Sequence, residues 1–435
     1  MDRQSRRRRA VELAKDVLIV LLTISALWLI TQARVLGPLF QETSPAPDAR
    51  ETQDGSQADA RPLRITANLP GEGRTGRYGA QYDQEAVDVL FQQVAGLLVE
   101  TLSSAGTPEE VSRSRWEEAL TAVPGVCLDF QGELPLSVLT GWLVGEDTGS
   151  QALVRRLVLT AWGDGVALYY RDGRDGGYYR CLSEVANSRH LSEALAAFQD
   201  NGAYYAFESE RYGWMDPDTL ILEAALAPAV YQVRNPVAGG QSALERVMEE
   251  LGLPVGSASF YAAGDEQVAR IGGNNLRLSA RGVLEYHAEE DEGLFPISTQ
   301  GEEPTLFEAV EACRQLAAGG IGINAGQARL YVASVDETEG NGLEVSFDYC
   351  LDGVPVRLSE GAAAWFLVEN GQITRFELRY RSYTDSGETS AVLPIPQAAA
   401  AMEALDLEGG ELALIYNDAG GETVSASWAA ITDEA

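Results

Sequence analysis

The sequence predicts an α+β protein in which one N-terminal transmembrane helix is followed by exterior modules of a helix laid on an antiparallel sheet. Three observations carry that expectation. Residues 17–33 form an uncharged, mostly apolar run behind a basic head. Beyond residue 60, apolar positions alternate between helical spacing and period-two spacing. Glycine-containing pairs that favour tight turns punctuate the period-two runs.

The head, residues 1–16, carries six Arg or Lys against Asp2, Glu12 and Asp16. The run that follows, VLIVLLTISALWLITQA, would reach about 26 Å as a helix. A hydrocarbon core is about 30 Å thick, and Lys15 and Arg34 can snorkel across the difference. The positive-inside bias keeps the head in the cytoplasm and sends the bulk of the chain to the extracytoplasmic side, as a single-pass cell-membrane protein. Thr31-Gln32-Ala33 is a poor cleavage site and the apolar run is longer than a usual signal-peptide core, so the segment reads as an uncleaved signal anchor. A lipoprotein is excluded, because the first cysteine is Cys127. Thr23 and Ser25 are small polar residues that let helices approach closely, and with Trp28 they are the candidate partner-binding residues of the span.

The net charge is −33, and the head contributes +3 of it, which leaves −36 on the remainder. Such a surface repels nucleic acid and anionic lipid, so no nucleic-acid partner is expected. A hydrophobic fraction of 45% indicates folded, core-forming domains rather than an acidic disordered chain. Residues 34–60 form a tether; the stretch 41–60 is rich in Pro, Ser, Asp and Gln and lacks aliphatic anchors.

Residues 61–236 read as the N-terminal exterior α+β domain. A strand is expected over 62–69, and Asp83 caps a helix whose apolar face is Val87, Leu90, Phe91, Val94, Leu97 and Leu98. Val126, Leu128 and Phe130 alternate as a strand and lead into a short helical turn. The runs 152–162, 166–171 and 178–182, separated by glycine-rich turns, read as an antiparallel meander. Ser188 opens a helix with Leu191, Leu195 and Phe198.

Residues 241–435 read as a C-terminal region of repeated helix-plus-sheet modules that folds as a unit. Ser242 to Glu245 and Thr305 to Glu308 each have the spacing of a capping box. Gly252 closes the first helix and Gly319-Gly320 the second, and each helix is followed by strands; a third helix over 394–405 precedes two more. Cys313 lies on a helical apolar stripe, whereas Cys350 alternates with Ser346 and Asp348 along a strand. A bridge between them is disfavoured, and Cys127, Cys181, Cys313 and Cys350 are expected mainly as buried free thiols.

A search for catalytic chemistry returns no constellation, so no enzyme, cofactor or metal site is expected. His190 and His287 are the only histidines and neither sits in a recognisable motif; the first is expected in the first turn of its helix and the second at a strand end. The glycine-rich stretch 319–326 ends a helix rather than starting one and lacks a lysine, so it reads as a helix-to-strand turn rather than a phosphate loop. Glu289, Glu290, Asp291 and Glu292 lack the alternate spacing of a calcium loop. Tyr169, Tyr170, Tyr178 and Tyr179 flank a hairpin, with Tyr204, Tyr205, Phe207, Tyr212 and Trp214 after it. Adjacent aromatics in a strand put one ring on each face, so half of these are expected in the core.

The run from Asn275 to Tyr286 resembles the strand, turn and strand segment of the YycH/YycI group of bacterial proteins. The stretches Phe347 to Pro355 and Ala364 to Ile373 resemble the F-x-Y, G-x-P and V-x-N-G-x-I run of that group's C-terminal modules. Length favours the YycH type over the shorter YycI type. The resemblance implies no enzymatic activity. It implies a membrane-anchored modulator of a WalK-type sensor histidine kinase controlling cell-wall metabolism in Gram-positive bacteria, with a YycI-like protein as a second partner and the span 17–33 as the kinase-contacting element. The same helix-on-sheet repeats also admit an anchored PepSY-like inhibitor or binding module for an exported protease or cell-wall ligand. An exported hydrolase is disfavoured by the poverty of His and Cys motifs.

Overall fold

The computed structural model describes residues 60–70, 76–145, 149–289, 293–299, 303–338, 342–405 and 409–432, with Gly301 and Gly340. The span, the head, the tether up to residue 59 and Glu290 to Glu292 of the acidic loop lie outside the described residues. Residues 55–435 form one compact unit.

Its first half is a seven-stranded antiparallel sheet in the order Gly76–Gln81, Arg64–Leu69, Gly125–Pro135, Leu153–Trp162, Gly165–Arg171, Tyr178–Asn187 and Glu109–Val111. The last four long strands are the expected meander with one earlier neighbour, and Leu157 pairs with Tyr170 and Leu168 with Cys181 in register. The helix Gln84–Ser103 packs on this sheet. Asp83 caps it, its carboxylate accepting from the Ala86 N–H at 2.9 Å. Val87, Leu90, Val94 and Leu98 are fully buried, each contributing about 1.5–3 kcal/mol relative to exposure. By length and apolarity this is the one described helix able to cross a membrane, but its apolar face is occupied by the core. The short turn expected after Phe130 is a nine-residue helix, Leu136–Val144, and Arg113–Thr121 is a helix that the mixed charges RSRWEEALT hide from a periodicity search. The helix over His190 starts at Ser188, and Asn187 rather than Ser188 caps it.

The second half is organised on a twelve-stranded sheet. Its main order is Ser259–Ala263, Glu266–Ile271, Asn274–Ser279, Val283–His287, Gln372–Arg379, Ala364–Glu369, Leu343–Leu351, Val354–Leu358, Glu411–Asp418 and Ala426–Ile431. Arg329–Glu337 pairs with Leu343–Leu351 off this path. Every described pairing in it is antiparallel except Val354–Leu358 with Glu411–Asp418, which is parallel. Helices Gln241–Glu250, Leu306–Gly320 and Ile395–Glu403 each precede a set of strands, as the periodicity predicts. Their strands nevertheless join one sheet rather than three separate ones, because Val283–His287 pairs with Gln372–Arg379 from the following segment. Thr305 forms its capping box with Glu308. Ser242 does not: the helix starts at Gln241 with Gly240 as its cap, two residues earlier than a cap at Ser242 would place it, and the Ser242 hydroxyl donates backwards to the Gly239 carbonyl. All four cysteines are buried and free.

The halves meet along a packed seam. Gly132 lies so close to the strand Arg329–Glu337 that a Cβ there would be 1.9 Å from the Ala333 carbonyl oxygen, and both strands carry a register shift at that point. Helix Leu136–Val144 meets helix Leu306–Gly320, with Gly141 against the Phe307 ring and the Trp142 indole donating to Glu311 at 2.8 Å. The backbone N–H of Leu414 donates to the Tyr82 hydroxyl at 3.1 Å, and that of Gln84 to Asp352 at 3.0 Å. Strand Ala229–Arg234 leaves the first half and pairs with Ser382–Thr389 and Thr423–Val424 of the second.

Candidate ligand cavity

Strand Leu153–Trp162 reads LVRRLVLTAW, with two adjacent arginines inside an otherwise apolar run. Adjacent strand residues face opposite sides of a sheet, yet both guanidiniums reach Asp129 on the neighbouring strand. Arg155 donates to one carboxylate oxygen at 3.0 Å and Arg156 to the other at 3.2 Å. Glu411, from the first residue of its strand, completes the cluster. It accepts from Arg155 at 2.7 Å and from Arg64, whose guanidinium is also 3.5 Å from Asp129. Arg156 reaches on to Asp216 at 3.2 Å and lies 3.8 Å from Asp218. Residues from five separate stretches of chain thus share one buried network at the seam.

Burial alone would push the Glu411 carboxyl up, but Arg155, Arg64 and Arg156 overcome it and hold the group far below the usual carboxylate range. Burial likewise pulls the Arg156 guanidinium down, and Asp129, Asp216, Glu411 and Asp218 more than restore it. Asp218 goes the other way. Burial and the like charge of Asp216 raise it, against the opposing pull of Arg156, Trp116 and Arg113.

The network forms one wall of a cavity of about 630 Å³. Arg113, Trp116 and Tyr178 line another side, with Arg171, Glu133 and the backbone of Gly173 and Gly176 at the hairpin end. Trp116 is held by its indole donating to Asp218 at 2.9 Å, and its ring lies 5.6 Å from that of Tyr178. Arg113 donates to Glu117 at 2.9 Å and to the Tyr178 hydroxyl at 3.1 Å. The site therefore presents both signs of charge beside aromatic surface, in a volume typical of small-molecule sites.

None of the network was signalled by residue spacing, since its members are up to 347 residues apart. The one sign in the sequence is the Arg155-Arg156 pair in a strand that must be buried. The candidates that spacing did suggest are placed as follows. Thr23, Ser25 and Trp28 lie outside the described residues. Of the aromatics, Tyr169, Tyr170, Tyr205 and Tyr212 are core residues, and Tyr178 faces the cavity. His190 is in the first turn of its helix and His287 ends its strand. The stretch 319–326 continues the helix to Gly320 and then forms a 3-10 turn, Gly322–Asn324, before the strand. Among the described residues no group of three or more His, Cys, Asp or Glu is set to hold a metal ion.

No family model matches this sequence, and no curated protein matches it. The crystal structure of YycH from Bacillus subtilis superposes on it with a TM-score of 0.53 at 11% identity, covering 87% of this chain and 95% of that one. The chain thus has a YycH-like fold.

Proposed function

We propose that this YycH-like chain is a single-pass, membrane-anchored extracytoplasmic regulator that binds a WalK-type sensor histidine kinase and biases its signalling, without turning over a substrate. The observation that supports it is the extent of the fold likeness, 87% of the chain, together with the local motifs between residues 275 and 380. In this reading the run 17–33 spans the cell membrane with the head in the cytoplasm. Thr23, Ser25 and Trp28 form the contact with the kinase helices, and a YycI-like protein is a further partner. A bound protein shifts a two-state kinase only by its differential affinity for the states, so the coupling depends on which span is present.

The test compares strains carrying the native chain, a chain whose 17–33 run is replaced by an unrelated span, and a deletion. The readouts are co-purification of the kinase from detergent and a reporter for its response regulator. Loss of coupling in the span-swapped strain supports the reading. Equal reporter output in all three strains, with no kinase recovered, would sink it and favour an anchored PepSY-like inhibitor or binding module, which the threefold order of helix then strands also suits.

A further inference from the structure

The edge of a sheet presents a row of unpaired N–H and C=O groups, and folded chains normally block it. The seven-stranded sheet follows that rule. The Asn201 side chain covers the outer edge of Gly76–Gln81, accepting from the Gly79 N–H at 3.0 Å and donating to the Gly79 carbonyl at 2.8 Å. The Arg77 N–H on the same edge donates to Asp200 at 3.2 Å. The opposite edge, Glu109–Val111, is three residues long and opens with two carboxylates. Ser259–Ala263, an end strand of the twelve-stranded sheet, is different. It pairs with Glu266–Ile271 alone, and its sequence SFYAA carries no charge, proline or glycine. All of it but Phe260 is exposed, Tyr261 at 49%.

The register fixes which groups face outwards. Ala263 and Glu266 flank the turn Gly264-Asp265, with Gly264 at a φ of +68°, and exchange hydrogen bonds; the pattern alternates, so Tyr261 and Ser259 also bond inwards. The N–H and C=O of Phe260 and Ala262 therefore point away from the sheet, and among the described residues no other strand meets them. An antiparallel copy of the same strand, centred on Tyr261, satisfies all of them. Phe260 then lies opposite Ala262 of the second copy, and Ala262 opposite its Phe260, each pair exchanging both hydrogen bonds. No other centre pairs both outward residues within the strand. Tyr261 meets its own equivalent at the axis as a non-hydrogen-bonded pair, where side chains approach most closely. Ser259 faces Ala263, so no charges stand opposite each other, and on the next strands Arg270 and the second copy's Glu266 share a row with opposite signs. The strand offers no carboxylate to a basic segment and no cation to an acidic one, so recognition rests on register, which its own sequence matches.

We propose that two copies of this chain associate through Ser259–Ala263 across a two-fold axis at Tyr261, joining their twelve-stranded sheets into one. The inference does not rest on the kinase reading, because it concerns the exterior unit alone. A five-residue edge covers less than the roughly 1,200 Å² of a standard interface, and each copy carries a net charge of −33. The pairing is therefore weak in solution and strengthens as salt screens the repulsion.

The test uses the full chain in detergent under mild oxidation. The four native cysteines are buried and free, so an introduced exposed thiol is the one an oxidant reaches first. Tyr261→Cys is expected to give a disulfide-linked dimer. Ser259→Cys and Ala263→Cys are expected to cross-link when mixed, and each alone roughly tenfold less. Ala262→Pro removes an outward N–H without breaking a bond to Glu266–Ile271. Added to Tyr261→Cys, it is expected to lower the dimer yield roughly tenfold with an unchanged unfolding midpoint. Raising salt from about 0.03 M to about 0.5 M is expected to raise the yield. The proposal is overturned if Tyr261→Cys stays monomeric, as it would where the edge serves a different protein. It is equally overturned if Ser259→Cys alone cross-links as well as the mixture, if Ala262→Pro leaves the yield unchanged, or if added salt lowers it. The mixed pair retains Tyr261, so it decides the register whether or not Tyr261→Cys folds. Dimers held by the span alone would ignore Ala262→Pro, and the kinase reporter is untouched by either outcome.

Discussion

Glu411 is, with Asp129, one of two carboxylates on which the guanidiniums of Arg64, Arg155 and Arg156 converge. Removing one partner of a buried ion network leaves its remaining charges uncompensated, so Glu411→Ala is expected to lower stability by about 3–5 kcal/mol, measured by urea unfolding. The group's folded pKa is depressed, so its contribution is complete above the unfolded value of 4.5 and is lost as pH falls below it. Glu411→Gln should flatten that acid limb. Asp348 behaves oppositely. Burial lifts its carboxyl to about 6 from 3.8, with Gln131 and Arg357 opposing. Between those values the folded chain holds a proton that the unfolded chain has released, so stability declines as pH rises through that window and then levels off. Asp348→Asn is expected to raise stability at pH 7.5 by on the order of 1 kcal/mol and to have no effect near pH 3. An equal gain at both pH values would show that packing, not ionisation, is responsible. Neither residue could be singled out from the sequence, because ELALIY and FDYC look like ordinary strand starts and alternations until the partners from distant stretches are in place.

At the scale of elements, the helices and strands with clean periodicity were legible and those defined by contact were not. Asp83 and Thr305 cap as their spacing predicts because each side chain has only its own helix start to serve. Ser242 has the same spacing but follows Gly239 and Gly240, both at positive φ, which turn the chain so that the helix begins two residues early. The helix contact at Gly141 depends on the absence of a side chain. A Cβ there would lie 2.3 Å from the Phe307 ring. Gly141→Ala is therefore expected to destabilise by about 1–3 kcal/mol. Combined with Phe307→Ala it should cost less than the sum of the two single changes, since the smaller residue makes room for the methyl. Strict additivity in urea unfolding would mean that the helices do not meet there. Gly132 offers no such rescue, because its neighbour is a backbone carbonyl.

For the whole molecule, the sequence conveyed the order of helices and strands and the repeated pattern after residue 240, but not that strands from successive repeats pair with one another. The division expected at 236–241 stands as a proposal about folding, and strand Ala229–Arg234 gives it a specific form. A fragment starting at Gln241 lacks the strand between Ser382–Thr389 and Thr423–Val424, whereas one starting at Ala229 retains it. The longer fragment is expected to unfold at higher urea, and equal midpoints would mean that this strand is peripheral. The parallel pairing of Val354–Leu358 with Glu411–Asp418 has a different implication, which concerns the order in which the chain is made. Arg64, Asp129 and Arg155 emerge early in synthesis, and Glu411, the second carboxylate that both arginines reach, follows Arg64 by 347 residues. At roughly 5–20 residues per second, translation alone separates the two events by about 20–70 s. During that interval Arg64 and Arg155 share Asp129 alone and await their second carboxylate. A chain that stops before Glu411 never acquires it, and its unsealed seam marks it as unfinished to any protease that samples opened structure.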